Sequence, residues 1–130
     1  MNKLMVLALC LLTDVYANAA VLRDTDRKVI ESAGIQVYPQ AQFVNGSQAV
    51  GYRFASTQSQ AAVREWYRQR LSKWSLYQQF GGWILYDGEP GLSMGGVMST
   101  RQVMVKKNGL LHEWYGIDKD RSTEIVIMIP

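Results

Sequence analysis

The sequence predicts an α+β domain, with one principal helix packed on a mostly antiparallel sheet of five to seven short strands. Three observations carry that expectation. The segment "STQSQAAVREWYRQRLSKW" (56–74) places Val63, Trp66, Tyr67, Leu71 and Trp74 at helical spacing, an apolar stripe that faces a core. Most of the remaining chain is short apolar runs punctuated by Asn45-Gly46, Gly81-Gly82 and Asn108-Gly109, dipeptides that favour tight turns. The last run, "TEIVIMIP", is apolar on both alternating sets: Ile125, Ile127 and Ile129 on one side, Val126 and Met128 on the other. Such a strand has both faces covered.

Taken in order, residues 1–19 read as a secretory signal peptide. "MNK" is a short positive start, "LMVLALCLL" an apolar stretch, and "ANA" (17–19) a small-x-small cleavage site. Nine apolar residues are too few to span a membrane, which takes about 20. Bulky Leu9 before Cys10 disfavours a lipoprotein. The mature chain is expected to begin at Ala20 and to form a single domain over 20–130, since 111 residues suffice for one core and not two. Without Cys10 it has no thiol, so packing alone must hold an exported protein together. Thirteen basic against ten acidic side chains leave a small, dispersed excess. It suits an anionic surface without demanding one, and no nucleic-acid signature accompanies it. With no second long apolar run, the mature chain is not expected to span a membrane.

Asp24–Ser32 reads as a short helix ended by Gly34. "IQVY" reads as a strand closed by Pro39, and "AQFV" and "AVGYRFA" as a hairpin about Asn45-Gly46. The turn also accounts for the sequon Asn45-Gly46-Ser47. Thr57 with Gln60 offers the principal helix a capping box, and Ser59 is a rival cap. Arg70 projects into the apolar stripe between Trp66 and Trp74. Its stem is expected on the indoles, with its charge near the helix C-terminus, or facing a ligand. "SLYQQF" and "WILY" form a second hairpin, followed by a loop from Asp87 to about Ser99. "RQVMVKK" and "LLHEWYGI" then pair about Asn108-Gly109, and a "DKDRS" turn leads to the last strand.

"GIQVYPQAQF", "YRFASTQSQAAVREWYRQRL" and "GGWILY" together resemble a small module of bacterial exported proteins. It has a Val-Tyr-Pro strand, an aromatic-Tyr-Arg helix and a Gly-Trp strand. The resemblance covers Ile35 to Tyr86 and implies export and fold, with no settled activity. Gln40 and Gln60 depart from the pattern, standing where a glycine and a proline are usual.

Several constellations could carry chemistry. Gly91-x-Ser93-x-Gly95 spells a nucleophile elbow, which requires a strand before the serine and a helix after it. "GVMSTRQVMV" is a poor helix, and no acid lies between Ser93 and His112, so a triad would have to recruit Asp118 or Asp120 in another order. His112, the only histidine, is expected to share a packed sheet face with Val103, Val105 and Trp114, leaving Glu113 beside Lys106. One histidine and no mature cysteine make a metal site unlike the usual ones. Asp118 to Ser122 opens like a calcium loop but lacks its glycine and closing glutamate. Asp87 and Glu89 share one loop, with nothing else to mark a glycosidase pair. No cofactor is expected. The excess of apolar surface is more informative: Leu111, Tyr115, Ile125 and Ile127 are expected on one face that a single helix leaves open, unless the sheet or another segment covers it. The expected function is therefore that of an exported, non-enzymatic domain that binds a protein or envelope partner, or a second copy, through this face, with Arg70 as a further contact. The alternatives are a small serine hydrolase using Ser93 and His112, and a binder of anionic envelope polymers through Arg64, Arg68 and Lys73.

Overall fold

The apolar runs pair into one six-stranded antiparallel sheet of order β1-β2-β6-β5-β4-β3. Its strands are β1 (Gln42–Ser47), β2 (Gly51–Ser56), β3 (Ser75–Tyr77), β4 (Ile84–Tyr86), β5 (Gln102–Lys107) and β6 (Thr123–Met128). Among the described residues four helices accompany it: α1 (Asp24–Ser32), α2 (Gln60–Arg70), α3 (Met94–Met98) and α4 (Leu111–Tyr115). The computed structural model describes residues 20–79 and 81–130, so the signal peptide expected over 1–19 lies outside the described residues. The α+β class stands, with α1 joining the principal helix α2 on the main core face.

Strand alternation builds that core. Tyr52, Ile127, Val103 and Leu85 form one row across four strands, and Phe54, Ile125 and Val105 form the next. Onto these rows α1 lowers Ile30, and α2 lowers Val63 and Tyr67, with Leu71 joining them from its C-cap. Ser59 caps α2, its hydroxyl accepting from the Ala62 amide at 3.1 Å, so the rival cap displaces the Thr57 capping box. Gln60 is therefore the first helical residue, a position where proline is readily accommodated. Gly34, at φ +78°, ends α1 in the left-handed conformation.

The buried phenols keep their polar tips partnered. Tyr67 donates to the Gln36 carbonyl at 2.9 Å, and burial pushes its pKa up. Tyr52 donates to Asp26 at 2.9 Å, and Arg23 holds the same carboxylate at 3.0 Å, tying α1 to β2. The bonds from Arg23 and Tyr52 hold Asp26 below its ordinary value, while burial, then Asp26, pushes Tyr52 up to about 12. A depressed carboxylate stabilises the fold above its ordinary pKa, and that contribution fades as pH falls through the depressed value. A raised phenol stabilises below its ordinary pKa of 10.0, and that contribution fades as pH rises toward about 12. The melting-temperature difference between wild type and Asp26→Asn should accordingly shrink below the carboxylate range. A difference that stays constant from neutral to acid pH would contradict this linkage.

Besides α3, which forms inside the loop expected from Asp87 to about Ser99 and directly after Ser93, three expected elements differ. "IQVY" joins no ladder: the Gln36 carbonyl serves Tyr67, and Tyr38 packs edge-on to Trp66 at 5.1 Å. The following Pro39-Gln40 turn places Gln40 at φ +62°, a conformation that suits the glycine usual there. The first hairpin turns at 48–50, so Asn45 and Gly46 lie inside β1 beyond a bulge at Phe43/Asn45. Gly46 is needed there for close approach, because a Cβ would lie 2.0 Å from the Gly51 carbonyl oxygen.

The third difference matters most. "LLHEWYGI" is not the partner of β5; it forms α4, and β5 pairs instead with β6 and β4. Neither Asn108 nor Gly109 adopts the positive φ of a tight type I′ turn. The Asn108 side chain instead accepts from the Leu111 amide at 3.0 Å and donates to the Arg121 carbonyl at 2.7 Å, which starts α4 and holds the 118–122 turn.

The second sheet face is covered by the chain itself. Val97 of α3 joins Tyr77, Ile84 and Tyr86 near one edge, and Leu111 of α4 joins Val44, Ala55 and Ile117 near the other. β6 lies between, buried on both faces as its sequence implies.

Candidate functional site

The expected open face does not exist as one surface. Ile125 and Ile127 are buried in the main core, Leu111 is buried on the opposite face, and Tyr115 is exposed on α4. The two-residue alternation of a strand does not hold here because 111–115 is the helix α4. For the same reason His112 does not share a face with Val103 and Val105. It lies half-buried on α4, 3.8 Å from Glu113, while Trp114 points outward and is 66% exposed.

Arg70 lies as its stripe position implies, its guanidinium carbon 3.9 Å from the centre of the Trp66 ring. It also donates to the Trp66 carbonyl at 3.4 Å, near the C-terminus of α2. Arg64 is drawn out of the basic helix face. It donates to the Val105 carbonyl and to Gln60, each at 3.2 Å, and sits over Trp83, leaving Arg68 and Lys73 exposed. Ser93 caps α3, accepting from the Gly96 amide at 3.3 Å. α3 and α4 pack near opposite edges of the sheet, so Ser93 and His112 are not brought together. Asp87 pairs with Arg101, and among the described residues no group of three metal-ligating side chains assembles.

What the fold does assemble lies under α4. Lys106 ends β5 on the second sheet face, directly across from Glu124 of β6, and Arg53 of β2 stands one row along. Lys106 Nζ is 3.2 Å and Arg53 Nε 3.7 Å from Glu124 Oε2. The Glu124 side chain is only 6% exposed, and neither contact gives Oε2 a well-directed hydrogen bond. Leu111 anchors α4 from below, while Leu110 and Trp114, four residues apart, stand outward. Together with Lys107 and Gly109 these residues line a half-open cavity of about 380 Å³, whose wall holds three cations, one carboxylate and an exposed indole.

A depression of about 430 Å³ beside α1 is lined by Lys28, Ser32, Arg101 and Ile129, among others. It carries no aromatic side chain, and Arg101 there is occupied by the Ala33 carbonyl and Asp87. The cavity under α4 therefore has the better-defined chemistry.

The sequence held one overlooked signal. Glu124, Lys106 and Arg53 are charged residues inside otherwise apolar strands, and Lys106 pairs with Glu124 of β6 rather than with Glu113. No family model matches the chain, and neither curated proteins nor solved structures provide a match.

Proposed function

We propose that this chain is an exported, non-enzymatic binding domain whose recognition site is the cavity under α4, and that its ligand is an organic anion with a ring or apolar body. The supporting observation is the exposed Trp114 beside Arg53, Lys106 and Lys107. The three cations outnumber Glu124, so the cavity favours a net negative occupant, and water-facing indole surface favours a flat or apolar body. Export rests on the layout of residues 1–19. Placing recognition here also relocates the anionic-polymer alternative from α2, where Arg64 is engaged, to the opposite sheet face.

The test uses protein purified from the cell envelope, whose N-terminus is expected at Ala20. Benzoate, hexyl phosphate and glucuronate are titrated while the indole N–H resonances are followed by NMR. At least one should shift the Trp114 resonance, weaken with added salt, and bind roughly tenfold less tightly to Lys107→Ala, as expected for a lost charged contact. The melting temperature should not change, because Lys107 is exposed. If no anion moves Trp114, or binding ignores salt and Lys107→Ala, the reading fails.

A further inference from the structure

Among the described residues, three of the large apolar side chains left in water stand together at α4. Leu110, Trp114 and Tyr115 are 47%, 66% and 45% exposed. The short helix that presents them is held from below by Leu111, and the Asn108 side chain accepts from the Leu111 amide at its start. Leu110 and Trp114 line the same half-open cavity as Arg53, Lys106 and Lys107, so apolar side chains and cations form one continuous surface. Glu124 is buried and already ion-paired, which leaves the wall with a positive excess. Glu113, the acid of α4, does not line the cavity. The 118–122 turn, tied to Asn108, balances Asp118 and Asp120 with Lys119 and Arg121.

We propose that this surface seats the domain on a bilayer bearing anionic phospholipid. Leu110, Trp114 and Tyr115 enter the lipid interface, and Arg53, Lys106 and Lys107 face lipid phosphates. This rests on the reading of the cavity as an organic-anion site and names its occupant. A small anion in the cavity leaves Tyr115, outside its wall, in water, whereas a bilayer interface covers all three apolar side chains at once. Indole and phenol rings favour the headgroup level, where an apolar body can sit in lipid with its polar tip in water. Lysine stems lie along apolar surface while their ammonium groups reach phosphate. A half-open cavity admits a phosphate from the rim while its acyl chains stay in the bilayer. A second copy fits less well, because a two-fold contact sets the patch against itself and brings like charges together. The contact is peripheral: among the described residues no helix is long and apolar enough to cross a membrane.

The experiment measures co-sedimentation of the envelope-purified protein with two kinds of vesicle, pure phosphatidylcholine and phosphatidylcholine mixed with phosphatidylglycerol. Binding should be at least about tenfold tighter to the anionic vesicles and should weaken with added salt. Lys107→Ala should weaken it about fivefold, the share of one cation near a charged surface. Trp114→Ala should weaken it by about tenfold or more, because apolar area is lost from the contact. Both side chains are exposed, so both variants should melt like the wild type. Val50→Ala, which alters an exposed apolar residue in the 48–50 turn, should bind as the wild type does. Brominated acyl chains should quench tryptophan fluorescence in the wild type and not in Trp114→Phe, since Trp66, Trp74 and Trp83 belong to the core on the other sheet face. Equal binding to both vesicles overturns the proposal, as does a Val50→Ala loss that matches that of Trp114→Ala. Quenching that survives in Trp114→Phe overturns it too. If benzoate or hexyl phosphate shifts the Trp114 resonance while neither vesicle binds, the lipid assignment falls and the anion site stands. A dimer that Trp114→Ala dissociates, with no vesicle binding, gives the face to a second copy instead. If neither vesicles nor free anions bind, both readings fall together.

Discussion

Ile127→Lys is expected to abolish cooperative folding. Ile127 has no solvent exposure and lies between Tyr52 and Val103 in the central row of the core beneath α1 and α2. Losing the packed side chain costs about 2–5 kcal/mol, and an unpaired buried ammonium adds several more. Their sum is comparable to the whole stability of a small domain, about 5–15 kcal/mol. Circular dichroism should show no sharp melting transition. Tyr115→Lys, on the exposed side of α4, should stay within about 0.5 kcal/mol of wild type. The contrast matters because the sequence alone places both residues on one open face. A variant Ile127→Lys that melts like wild type would restore that face as a docking surface and remove the core from its place under the helices.

Gly46→Ala is expected to destabilise the β1–β2 hairpin by about 2–4 kcal/mol, lowering the melting temperature by roughly 10 °C or more. Two effects add. The residue sits at φ +122°, where side chains are strained, and a Cβ would fall 2.0 Å from the Gly51 carbonyl oxygen and 2.9 Å from the Tyr52 Cα. Neither neighbour can move aside, because both are backbone of the facing strand. Gly34→Ala separates the two effects. Gly34 also has positive φ, +78°, but nothing lies within 4 Å of its Cβ position, so only the conformational cost of about 1–2 kcal/mol remains. Equal losses in the two variants would show that the close approach across the hairpin carries no weight.

The sequence by itself determined the elements whose signals are local. The helix over Asp24–Ser32 with its Gly34 stop, the stripe of Val63, Tyr67 and Leu71, the β3–β4 hairpin and the two-sided burial of β6 all follow from periodicity and turn chemistry. Only the tertiary structure decided what Asn45-Gly46 and Asn108-Gly109 do. An Asn-Gly pair permits a hairpin turn, but Gly46 was taken by a close strand approach and the Asn108 amide by the start of α4 and the Arg121 carbonyl. Once 111–115 is a helix, two-residue alternation no longer applies. Trp114 then turns to solvent, Leu111 anchors the second face, and β6 supplies the partner of Lys106. The cavity is therefore a product of long-range pairing. Arg53, Lys106 and Glu124 lie on three strands that are neighbours in space but far apart in the chain, and no local pattern encodes which of them meet.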